Sequence, residues 1–327
     1  MLRPRYHNLL DTIGNTPLAR VHFDSPAQIY AKLEYLNPGG SVKDRSALFM
    51  IEHAEKTGLL KPGGTIVEAS SGNQGVACAM IGALKGYRVI ITVSEKISQE
   101  KLQTIQAYGA EVVMCPATAF IEDPRSYHSQ AVAIARQIPN SFMPNQYFNT
   151  LNAQAHYALL APEIWQQTEG KITHYFAAAG TGGTVSGVGK YLKEQNPNIK
   201  VIALDSNNSW RSTGGNPKPY KIEGIGIDFE TPVLAKDIID DIIPVSDENG
   251  LGMLKIMAQQ HGFLLGPSSG AVAWAVSEYA RKNLGENDCA VMIFSDSGRA
   301  YLTKGFYAQE TPRSYATIVK EQNSIQL

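Results

Sequence analysis

The sequence places a lysine directly after a tight turn, in the segment Asn-Pro-Gly-Gly-Ser-Val-Lys-Asp-Arg at residues 37–45. A lysine that a rigid turn delivers into a crevice can have a lowered pKa, and its amine can form a Schiff base with a carbonyl compound. Pro-Gly-Gly is also ordinary turn material, and a lysine at a helix start is more often solvated. The segment alone therefore favours a solvated Lys43 and leaves the Schiff-base role as a hypothesis.

A second segment, Glu-Ala-Ser-Ser-Gly-Asn-Gln-Gly at residues 68–75, lies where a predicted strand ends and a predicted helix begins. The unpaired N–H groups of a helix start, together with the positive end of the helix dipole, form a seat for a carboxylate or a phosphate. Serine and asparagine also cap helices for purely structural reasons. The segment predicts either an anion site or a simple helix cap, with no preference between them.

The third segment, Gly-Thr-Gly-Gly-Thr at residues 180–184, follows a predicted strand and opens a predicted helix. Successive glycines let backbone N–H groups converge on one anion, and Thr181 and Thr184 can add hydroxyl donors. A flexible turn is a poor explanation in this strand-to-helix context. The segment therefore predicts a phosphate-binding loop.

These three segments lie in an alternation of apolar, strand-length runs and stretches with helical periodicity. The predicted strands are residues 28–34, 65–68, 88–93, 111–115, 175–179, 200–204 and 289–294. The predicted helices are residues 46–57, 73–84, 99–108, 129–137, 185–195, 248–260 and 270–282. This order predicts an α/β fold with helices on both faces of mostly parallel sheets, and a two-lobed body with a ligand in the crevice.

The composition of the 327-residue chain narrows the class of ligand and the compartment. The formal net charge is −1 and the basic residues are scattered, so neither nucleic acid nor a membrane is expected as a partner. No run is long and apolar enough to cross a bilayer, and no leader is expected at the N-terminus. The widely spaced Cys78, Cys115 and Cys289 fit a reducing compartment, so small-molecule ligands and a cytoplasmic location are predicted.

The sequence offers less for other kinds of site. None of the seven histidines is spaced as a metal-ligand pair, so no metal site is predicted, and a satisfied packing role is expected for His156 in its helical stretch. A dinucleotide-dependent oxidoreductase would use Asp205, after the strand that follows the glycine loop. Its Gly-x-Gly-x-x-Gly fingerprint, however, would need glycine at Val185. A non-catalytic binding protein on the same scaffold is a third possibility.

The order of these segments resembles the fold-type II pyridoxal-phosphate enzymes, the tryptophan synthase β-like family of cysteine synthases and cystathionine β-synthases. The resemblance begins with Ile-Gly-Asn-Thr-Pro-Leu at residues 13–18, includes the three segments above and ends with Gly-Pro-Ser-Ser-Gly at residues 266–270. It implies a two-domain α/β enzyme that uses pyridoxal 5′-phosphate. Residues 1–44 and 146–327 would form a large cofactor-binding domain, residues 45–145 a smaller mobile substrate domain, and two copies a homodimer.

The resemblance also implies a role for each motif. Lys43 would carry the cofactor as a Schiff base and act as the catalytic base, and Ser268 would face the pyridine nitrogen. The other cofactor contacts would be Asn73, at the ring hydroxyl, and Gly180, Thr181, Gly182, Gly183 and Thr184, at the phosphate. The substrate carboxylate would be held by Ser70, Ser71, Gln74 and Gln146. The family usually has threonine where this chain has Gln74, so a rearranged carboxylate grip is expected there.

Within the family, three segments resemble the cystathionine β-synthase branch: residues 95–101, 223–229 and 296–304, here called the branch segments. One position argues the other way, because that branch usually has tyrosine where this sequence has Ile227. No counterpart of the haem-binding segment and regulatory module of the larger animal enzymes is visible, so control by haem or adenosyl-methionine is not expected. The prediction is β-replacement on serine or O-acetylserine by homocysteine, which gives cystathionine. Cysteine synthesis from O-acetylserine and sulfide is the alternative.

Overall fold

A computed structural model describes residues 5–118 and 121–307 of the chain, which form two β-sheets. The strands are β1 (Leu18–Arg20), β2 (Gln28–Leu33), β3 (Thr65–Ala69), β4 (Arg88–Ser94), β5 (Glu111–Cys115), β6 (Ser141–Phe142), β7 (His174–Ala178), β8 (Lys200–Ser206), β9 (Asp241–Val245) and β10 (Cys289–Phe294). One sheet has the order β1-β2-β10-β7-β8-β9 and the other β5-β4-β3-β6. Among the described strands, only β1 and β2 pair antiparallel, so the predicted α/β fold with mostly parallel sheets is confirmed.

Helices cover both faces of the six-stranded sheet. The α-helices are α1 (Lys43–Lys56), α2 (Asn73–Lys85), α3 (Gln99–Ala107), α4 (Tyr127–Gln137), α5 (Leu151–Ala155), α6 (Ala161–Gln167), α7 (Gly183–Gln195), α8 (Asp247–His261) and α9 (Pro267–Asn283). Val291 and Ile293 of β10 pack in one hydrophobic cluster with α7, whereas Met292 and Phe294 pack in another with α9. Side chains alternate across a strand, so this apolar run is buried on both sides, as parallel sheets require. No helix in the described part of the chain is long and apolar enough to cross a membrane.

The four-stranded sheet has cores of its own. Ile66 and Ile91 pack against α1 and α2 on one face, and Val67 and Ile90 pack against α4 on the other. All four of its strands lie between residues 65 and 142. The division into residues 1–44 with 146–327 and residues 45–145 stays a prediction, and its limits include residues 1–4, 119–120 and 308–327, which lie outside the described residues.

Helices α1, α7 and α9 begin two or three residues before the predicted starts at Ser46, Val185 and Gly270. For α7 and α9 the reason is that glycine and proline are poor interior helix residues, so the periodic pattern excludes Gly183 and Pro267. In the first turn, however, the N–H groups have no helical acceptor, and the fixed φ of proline suits that position. The early starts bring Lys43 and Ser268 into first turns, next to free backbone N–H groups.

Three strands and one helical region have no counterpart in the prediction. Strands β1 and β6 have only three and two residues, too few for a periodic pattern to be visible. Strand β9 is an edge strand that contains Pro244 and has mostly exposed side chains. Between α5 and α6, residues His156–Leu160 form a π-helix, which interrupts the regular helical period.

Candidate active site

A cavity of about 660 Å³ lies between the two sheets, at the carboxyl ends of their parallel strands. Its walls include the turns after β3, β4 and β7 and the loop at residues 220–227. It is lined by these predicted site residues: Lys43, Ser70, Ser71, Asn73, Gln74, Gln146, Gly180 and Thr181. The carboxyl edge is where α/β sheets bind ligands, and the volume suits a cofactor with a small substrate.

Lys43 is the first residue of α1 and lines this cavity. The preceding turn contains Gly40, with φ +85°, and the Ser41 hydroxyl accepts the Lys43 backbone N–H at 3.2 Å. Burial lowers the pKa of the Lys43 amine to about 8, and the Glu68 carboxylate opposes that change. Lys43 is therefore not a solvated helix-start residue, and its amine loses its proton in the range that suits a nucleophile or a base.

Glu68 is a buried acid of β3 to which the sequence prediction assigns no role. Its side chain accepts the backbone N–H groups of Asn145, at 2.7 Å, and Gln146, at 3.3 Å. Burial raises the pKa of Glu68 to about 7, although those two N–H donors and Lys43 act to lower it. Its position inside an apolar strand is the signal that could have identified it, since a buried carboxylate requires partners.

The glycine loop at residues 180–184 has the backbone geometry of a phosphate site. Gly182 has φ +87°, and α7 begins at the next residue. A Cβ atom on Gly182 would lie 2.6 Å from Leu234, and one on Gly183 would lie 2.3 Å from Asn152. Side chains are therefore excluded at both positions, and the first N–H groups of α7 have no helical acceptor. This arrangement is suited to an anion.

Arg211 holds the start of this loop. Its guanidinium donates to the carbonyl oxygens of Ala179, at 2.8 Å, and Gly180, at 2.7 Å. Arg211 Nη1 also lies 3.2 Å from Asp205 Oδ1, and the buried Asp205 carboxylate accepts the Ser209 hydroxyl at 2.6 Å. The acid that a dinucleotide enzyme would use for ribose is thus bonded inside the protein, which removes the basis of that alternative.

Two buried polar side chains with unused atoms pack behind the loop. Asn152 donates to the Thr181 hydroxyl at 3.1 Å, and His156 Nε2 lies 3.3 Å from Thr184 Oγ1. Asn152 Oδ1 and His156 Nδ1 have no partner among the described residues. Burial lowers the pKa of His156 well below its usual value, and Lys43 lowers it further. His156 thus has the expected packed position in a helical stretch, but only one of its two ring nitrogens has a partner among the described residues.

The turn at residues 70–74 forms a second wall of the cavity. The Ser71 hydroxyl oxygen accepts the Ser94 backbone N–H at 2.6 Å, which leaves its proton free to be donated. Gln74 lies in the first turn of α2, with Nε2 3.8 Å from Cys78 Sγ and Oε1 buried without a partner among the described residues. The amide at the position that departs from the family is thus turned largely into the protein.

Asn73 is bonded to a residue that the sequence prediction assigns no role. Its Nδ2 donates to Asp296 Oδ2 at 2.7 Å, and the buried Asp296 also accepts the Tyr301 hydroxyl. Burial raises the pKa of Asp296, while the nearby Lys101 lowers it. Asn73 and Asp296 are 223 positions apart, so no local pattern connects them.

Ser268, in the first turn of α9, is buried beside the loop at residues 220–227. Gly224 of that loop has φ +85°, and a Cβ atom there would lie 3.1 Å from Ser268 Oγ. A Cβ atom on Gly180 would lie 3.0 Å from the Gly224 carbonyl oxygen. Gly224 thus packs between the Ser268 hydroxyl and Gly180. Gly224 lines the cavity and Ser268 lies directly behind it.

The branch segments meet at the mouth of the cavity. Glu223 accepts from Lys101 Nζ at 3.0 Å and lies 3.2 Å from Lys304 Nζ. Lys304 also donates to the Lys96 carbonyl oxygen at 2.8 Å. We call Lys101, Glu223 and Lys304 the mouth cluster. It joins three stretches of sequence that are far apart in the chain, and all of its residues line the cavity.

The chemistry of the cavity fits pyridoxal phosphate. Lys43 offers an amine of lowered pKa to an aldehyde, and the glycine loop offers N–H groups to a phosphate. A family model described as pyridoxal-phosphate dependent enzyme matches residues 9–296. The chain belongs to this family. The predicted cofactor and the prediction of an enzyme are confirmed.

Cystathionine β-synthases and cysteine synthases are among the proteins similar to this chain. Cystathionine beta-synthase of Apis mellifera is 44% identical over 306 residues, which are 91% of this chain but 60% of that relative, so the chain spans less than two thirds of its length. A cysteine synthase of Staphylococcus aureus is 40% identical, with 92% of this chain and 97% of the relative covered. The crystal structure of an O-acetylserine dependent cystathionine beta-synthase from Helicobacter pylori has a TM-score of 0.87 and 37% identity, covering 94% of this chain and 100% of its own. The protein is thus a pyridoxal-phosphate enzyme of the cystathionine β-synthase and cysteine synthase type.

Proposed function

We propose that this enzyme forms cystathionine by replacing the β-substituent of a serine-type amino acid with the sulfur of homocysteine. The observation that carries the proposal is the contact between the branch segments through the mouth cluster. These segments resemble cystathionine β-synthases, and each contributes a residue of the mouth cluster to the lining of the cavity. If the residues that resemble cystathionine β-synthases were scattered over the surface, they would not support this proposal.

The proposed roles of the cofactor residues follow from their chemistry. Pyridoxal phosphate, when bound, withdraws electrons from the α-carbon of an amino acid. Lys43 would hold the cofactor covalently. Once the substrate amine has displaced it, the freed Lys43 amine would remove the α-proton as general base and later return it. Residues 180–184 bind the phosphate, and Ser268 faces the pyridine nitrogen with a neutral hydroxyl. Asn73, fixed by its bond to Asp296, contacts the ring hydroxyl.

The substrate carboxylate is proposed to bind at the start of α2. Ser70, Ser71, Gln74 and Gln146 all line the cavity there. The Ser71 hydroxyl has a free proton because its oxygen accepts from the Ser94 N–H group. Backbone N–H groups of the first turn and the helix dipole add to the attraction. Gln74 contributes least, because its amide is engaged next to Cys78.

Ile227 bears on which donor the enzyme prefers. It lines the cavity and is buried, and it supplies no hydroxyl. The hydroxyl group of serine must be protonated as it leaves, and a well-placed acid is worth on the order of a hundredfold or more. Acetate leaves O-acetylserine with less help. We therefore propose that an activated serine is used more readily than serine, in agreement with the O-acetylserine dependence of the Helicobacter pylori enzyme.

The decisive experiment is a two-by-two assay of serine and O-acetylserine against homocysteine and sulfide, repeated with Ile227→Tyr. Cystathionine from homocysteine is expected, and faster from O-acetylserine. If homocysteine gives no product with either donor while sulfide does, the cystathionine assignment is wrong. A gain in serine turnover specific to Ile227→Tyr supports the leaving-group argument, and an unchanged donor preference removes it.

Cysteine synthesis from O-acetylserine and sulfide is the second candidate. It is favoured by the similarity to cysteine synthases, since the Staphylococcus aureus enzyme is 40% identical over 92% of this chain. Sulfide is small and carries no carboxylate or amine. In that case removal of mouth cluster charges leaves the Michaelis constant for the acceptor unchanged, whereas an amino-acid acceptor would bind more weakly.

Three further features of the enzyme are part of the proposal. A mobile substrate domain at residues 45–145 is supported by the separate cores of the four-stranded sheet. A cytoplasmic location is supported by Cys78, Cys115 and Cys289, which are buried and unpaired. The homodimer rests on the family resemblance alone, and sedimentation of the purified enzyme tests it.

A further inference from the structure

Asn152 is a fully buried residue of α5 to which the sequence prediction assigns no role. Its side-chain Nδ2 donates to the carbonyl oxygen of Gln146 at 2.9 Å and to the hydroxyl oxygen of Thr181 at 3.1 Å. A carbonyl oxygen can only accept a hydrogen bond, so the amide atom that faces Gln146 must be the nitrogen. The orientation of the Asn152 amide is therefore fixed, and both of its protons are used.

The hydroxyl oxygen of Thr181 accepts two hydrogen bonds. Besides the Asn152 amide, the backbone N–H group of Gly183 donates to it at 3.3 Å. A hydroxyl group has two lone pairs and one proton, so only the proton of this hydroxyl is left. That proton has no acceptor in the described part of the chain, and Thr181 lines the cavity. The Thr181 hydroxyl is thus oriented to donate to a ligand, which is what an anion requires.

Thr184, the other hydroxyl residue of the loop, has no such fixed direction. Its Oγ1 atom lies 3.3 Å from His156 Nε2, and an imidazole nitrogen donates or accepts according to its tautomer. Thr184 is also not among the residues that line the cavity. Of the two hydroxyl groups, the one of Thr181 is therefore singled out by its contacts.

The same amide holds the backbone of Gln146. The Gln146 N–H group donates to Glu68 Oε1 at 3.3 Å, and its carbonyl oxygen accepts from Asn152, so the peptide groups on both sides of this residue are bonded. Gln146 itself lines the cavity, where it is proposed to contact the substrate carboxylate. One buried amide therefore connects the glycine loop to the proposed substrate site.

The Asn152 amide also packs directly on the glycine loop. A Cβ atom on Gly183 would lie 2.3 Å from Asn152 Oδ1, so the loop can approach only because that position is glycine. Asn152 Oδ1 has no partner among the described residues. A buried oxygen without a partner destabilises a fold, so the favourable contribution of this side chain lies in the two bonds that Nδ2 donates.

We propose that Asn152 is a positioning residue that turns the Thr181 hydroxyl proton toward the cofactor phosphate and holds Gln146 in line with it. This inference rests on the proposed binding of the phosphate by residues 180–184. Asn152 occupies a lone pair of the Thr181 oxygen that would otherwise be free to face the anion. The loop then presents only N–H and O–H donors to the phosphate.

The test compares two ligands, pyridoxal phosphate and pyridoxal, which lacks the phosphate group. Each is titrated into the apoprotein of the wild type, Thr181→Val and Asn152→Leu, two substitutions that keep the shape of the side chain. Thr181→Val is expected to weaken pyridoxal phosphate binding by roughly tenfold or more, and Asn152→Leu by about three- to tenfold. Binding of pyridoxal should change by less than about twofold in both variants, because the missing bonds are made to the phosphate.

The double variant separates positioning from a second, independent contact. Once Thr181→Val has removed the hydroxyl, Asn152→Leu should weaken pyridoxal phosphate binding by less than about twofold further, since nothing is left to orient. Urea unfolding of each apoprotein measures the structural cost of the lost Asn152 bonds separately. Losses of affinity that multiply in the double variant overturn the role of Asn152 as a residue that acts through Thr181.

The phosphorus resonance of the bound cofactor gives a readout that does not depend on affinity. Thr181→Val and Asn152→Leu should shift this resonance in the same direction, whereas Thr181→Ser keeps the hydroxyl and should restore the wild-type position. A resonance that moves in Thr181→Val but not in Asn152→Leu overturns the proposal. If Thr181→Val changes neither the resonance nor the affinity, the proposed phosphate-binding role of the loop is itself wrong, which is a different outcome.

The second bond of Asn152 is tested at saturating pyridoxal phosphate. Asn152→Leu should raise the Michaelis constant for O-acetylserine by about threefold or more through Gln146, and Thr181→Val should leave it unchanged. Asn149→Leu is the matched control, because the Asn149 amide donates to the Pro144 carbonyl oxygen within the same segment, at 2.9 Å. It should change neither the Michaelis constant nor the cofactor affinity. If Asn149→Leu matches Asn152→Leu in both, the effects come from loosening of the segment and the proposal is wrong.

Discussion

The glycine loop at residues 180–184 and the mouth cluster are held in place by different kinds of interaction. At the phosphate end, Arg211 is bonded to backbone carbonyl groups and to Asp205, and both side chains are buried. At the mouth, Glu223 and Lys304 have 29% and 27% of their side chains exposed. Exposed ion pairs are weakened by salt and contribute little, whereas buried, hydrogen-bonded charges fix geometry. The comparison indicates that the glycine loop is held more firmly than the Glu223–Lys304 side of the cavity, where the buried Lys101 is the firm member of the mouth cluster.

The largest effect on activity is expected from Lys43→Ala, which removes the amine beside the glycine loop side of the cavity. Loss of the base should slow exchange of the substrate α-proton by roughly a hundredfold to ten-thousandfold. The glycine loop is untouched, so the variant should still bind pyridoxal phosphate without a covalent bond. Exchange into deuterated water and a phosphorus resonance of the bound cofactor measure the two properties separately.

A labelling experiment controls this assignment. The purified enzyme should be yellow, and borohydride reduction should attach the cofactor to Lys43. Lys96 also lines the cavity and is the matched control, because it is exposed and has no ordered carboxylate partner among the described ion pairs. Cofactor found on Lys96 contradicts the site assignment.

The next largest effect is expected from Ser268→Asp. A carboxylate would keep the pyridine nitrogen protonated and stabilise charge on the α-carbon too well for the β-substituent to leave quickly. We expect turnover to fall by roughly a hundredfold, about 2.7 kcal/mol in the barrier, with a new absorption band at long wavelength. Ser268→Ala keeps the position neutral and should cost little. Unchanged turnover in Ser268→Asp means that this residue does not face the ring nitrogen.

The sequence predicted the backbone features of the cavity better than its side-chain contacts. The glycine loop was predicted correctly as a strand-to-helix turn because its glycines and the flanking periodicity are local in the sequence, whereas its phosphate-binding role stays a prediction. The fold class was also predicted correctly, because hydrophobic periodicity is a property of neighbouring residues. The pairs Asn73–Asp296 and Arg211–Asp205, in contrast, join side chains from separate elements, and nothing in one sequence connects them.

The resemblance supplied what local patterns could not, but only at positions that the family uses. It pointed to Ser268 and Gln146, which periodicity alone would leave as a cap and a loop residue. It offered nothing at Glu68, whose carboxylate accepts the backbone N–H groups of Asn145 and Gln146 from a distant part of the chain. Tertiary contacts of this kind require coordinates.

A smaller effect is expected from Glu223→Gln, which removes both ion pairs of the mouth cluster. Lys101 is 3% exposed and would lose its carboxylate partner, so the free energy of unfolding should fall by about 1–2 kcal/mol. Urea unfolding at low and high salt measures the loss. Glu230→Gln breaks the exposed pair with Lys236 and should change stability by less than about 0.5 kcal/mol. Equal losses in the two variants contradict a structured mouth.

The smallest effect is expected at Glu68, which lies below both ends of the cavity. In the apoprotein, labelling of the Lys43 amine should rise with pH around a midpoint of about 8. Glu68 is largely ionised there, because its pKa is about 7, and its charge raises the pKa of Lys43. Glu68→Gln should therefore move the midpoint down, by about one unit or less, while labelling of Lys96 stays constant.

The same substitution gives a signature in stability. The pKa of Glu68 is raised from 4.5 to about 7, so the folded apoprotein binds more protons than the unfolded chain in this window, and its stability falls as pH rises from 4.5 to 7. The pKa of Lys43 is lowered from 10.5 to about 8, so stability rises again between pH 8 and 10.5. Glu68→Gln should abolish the first slope and keep the second, as urea unfolding across pH would measure. If both slopes persist, Glu68 is not the buried acid that interacts electrostatically with Lys43.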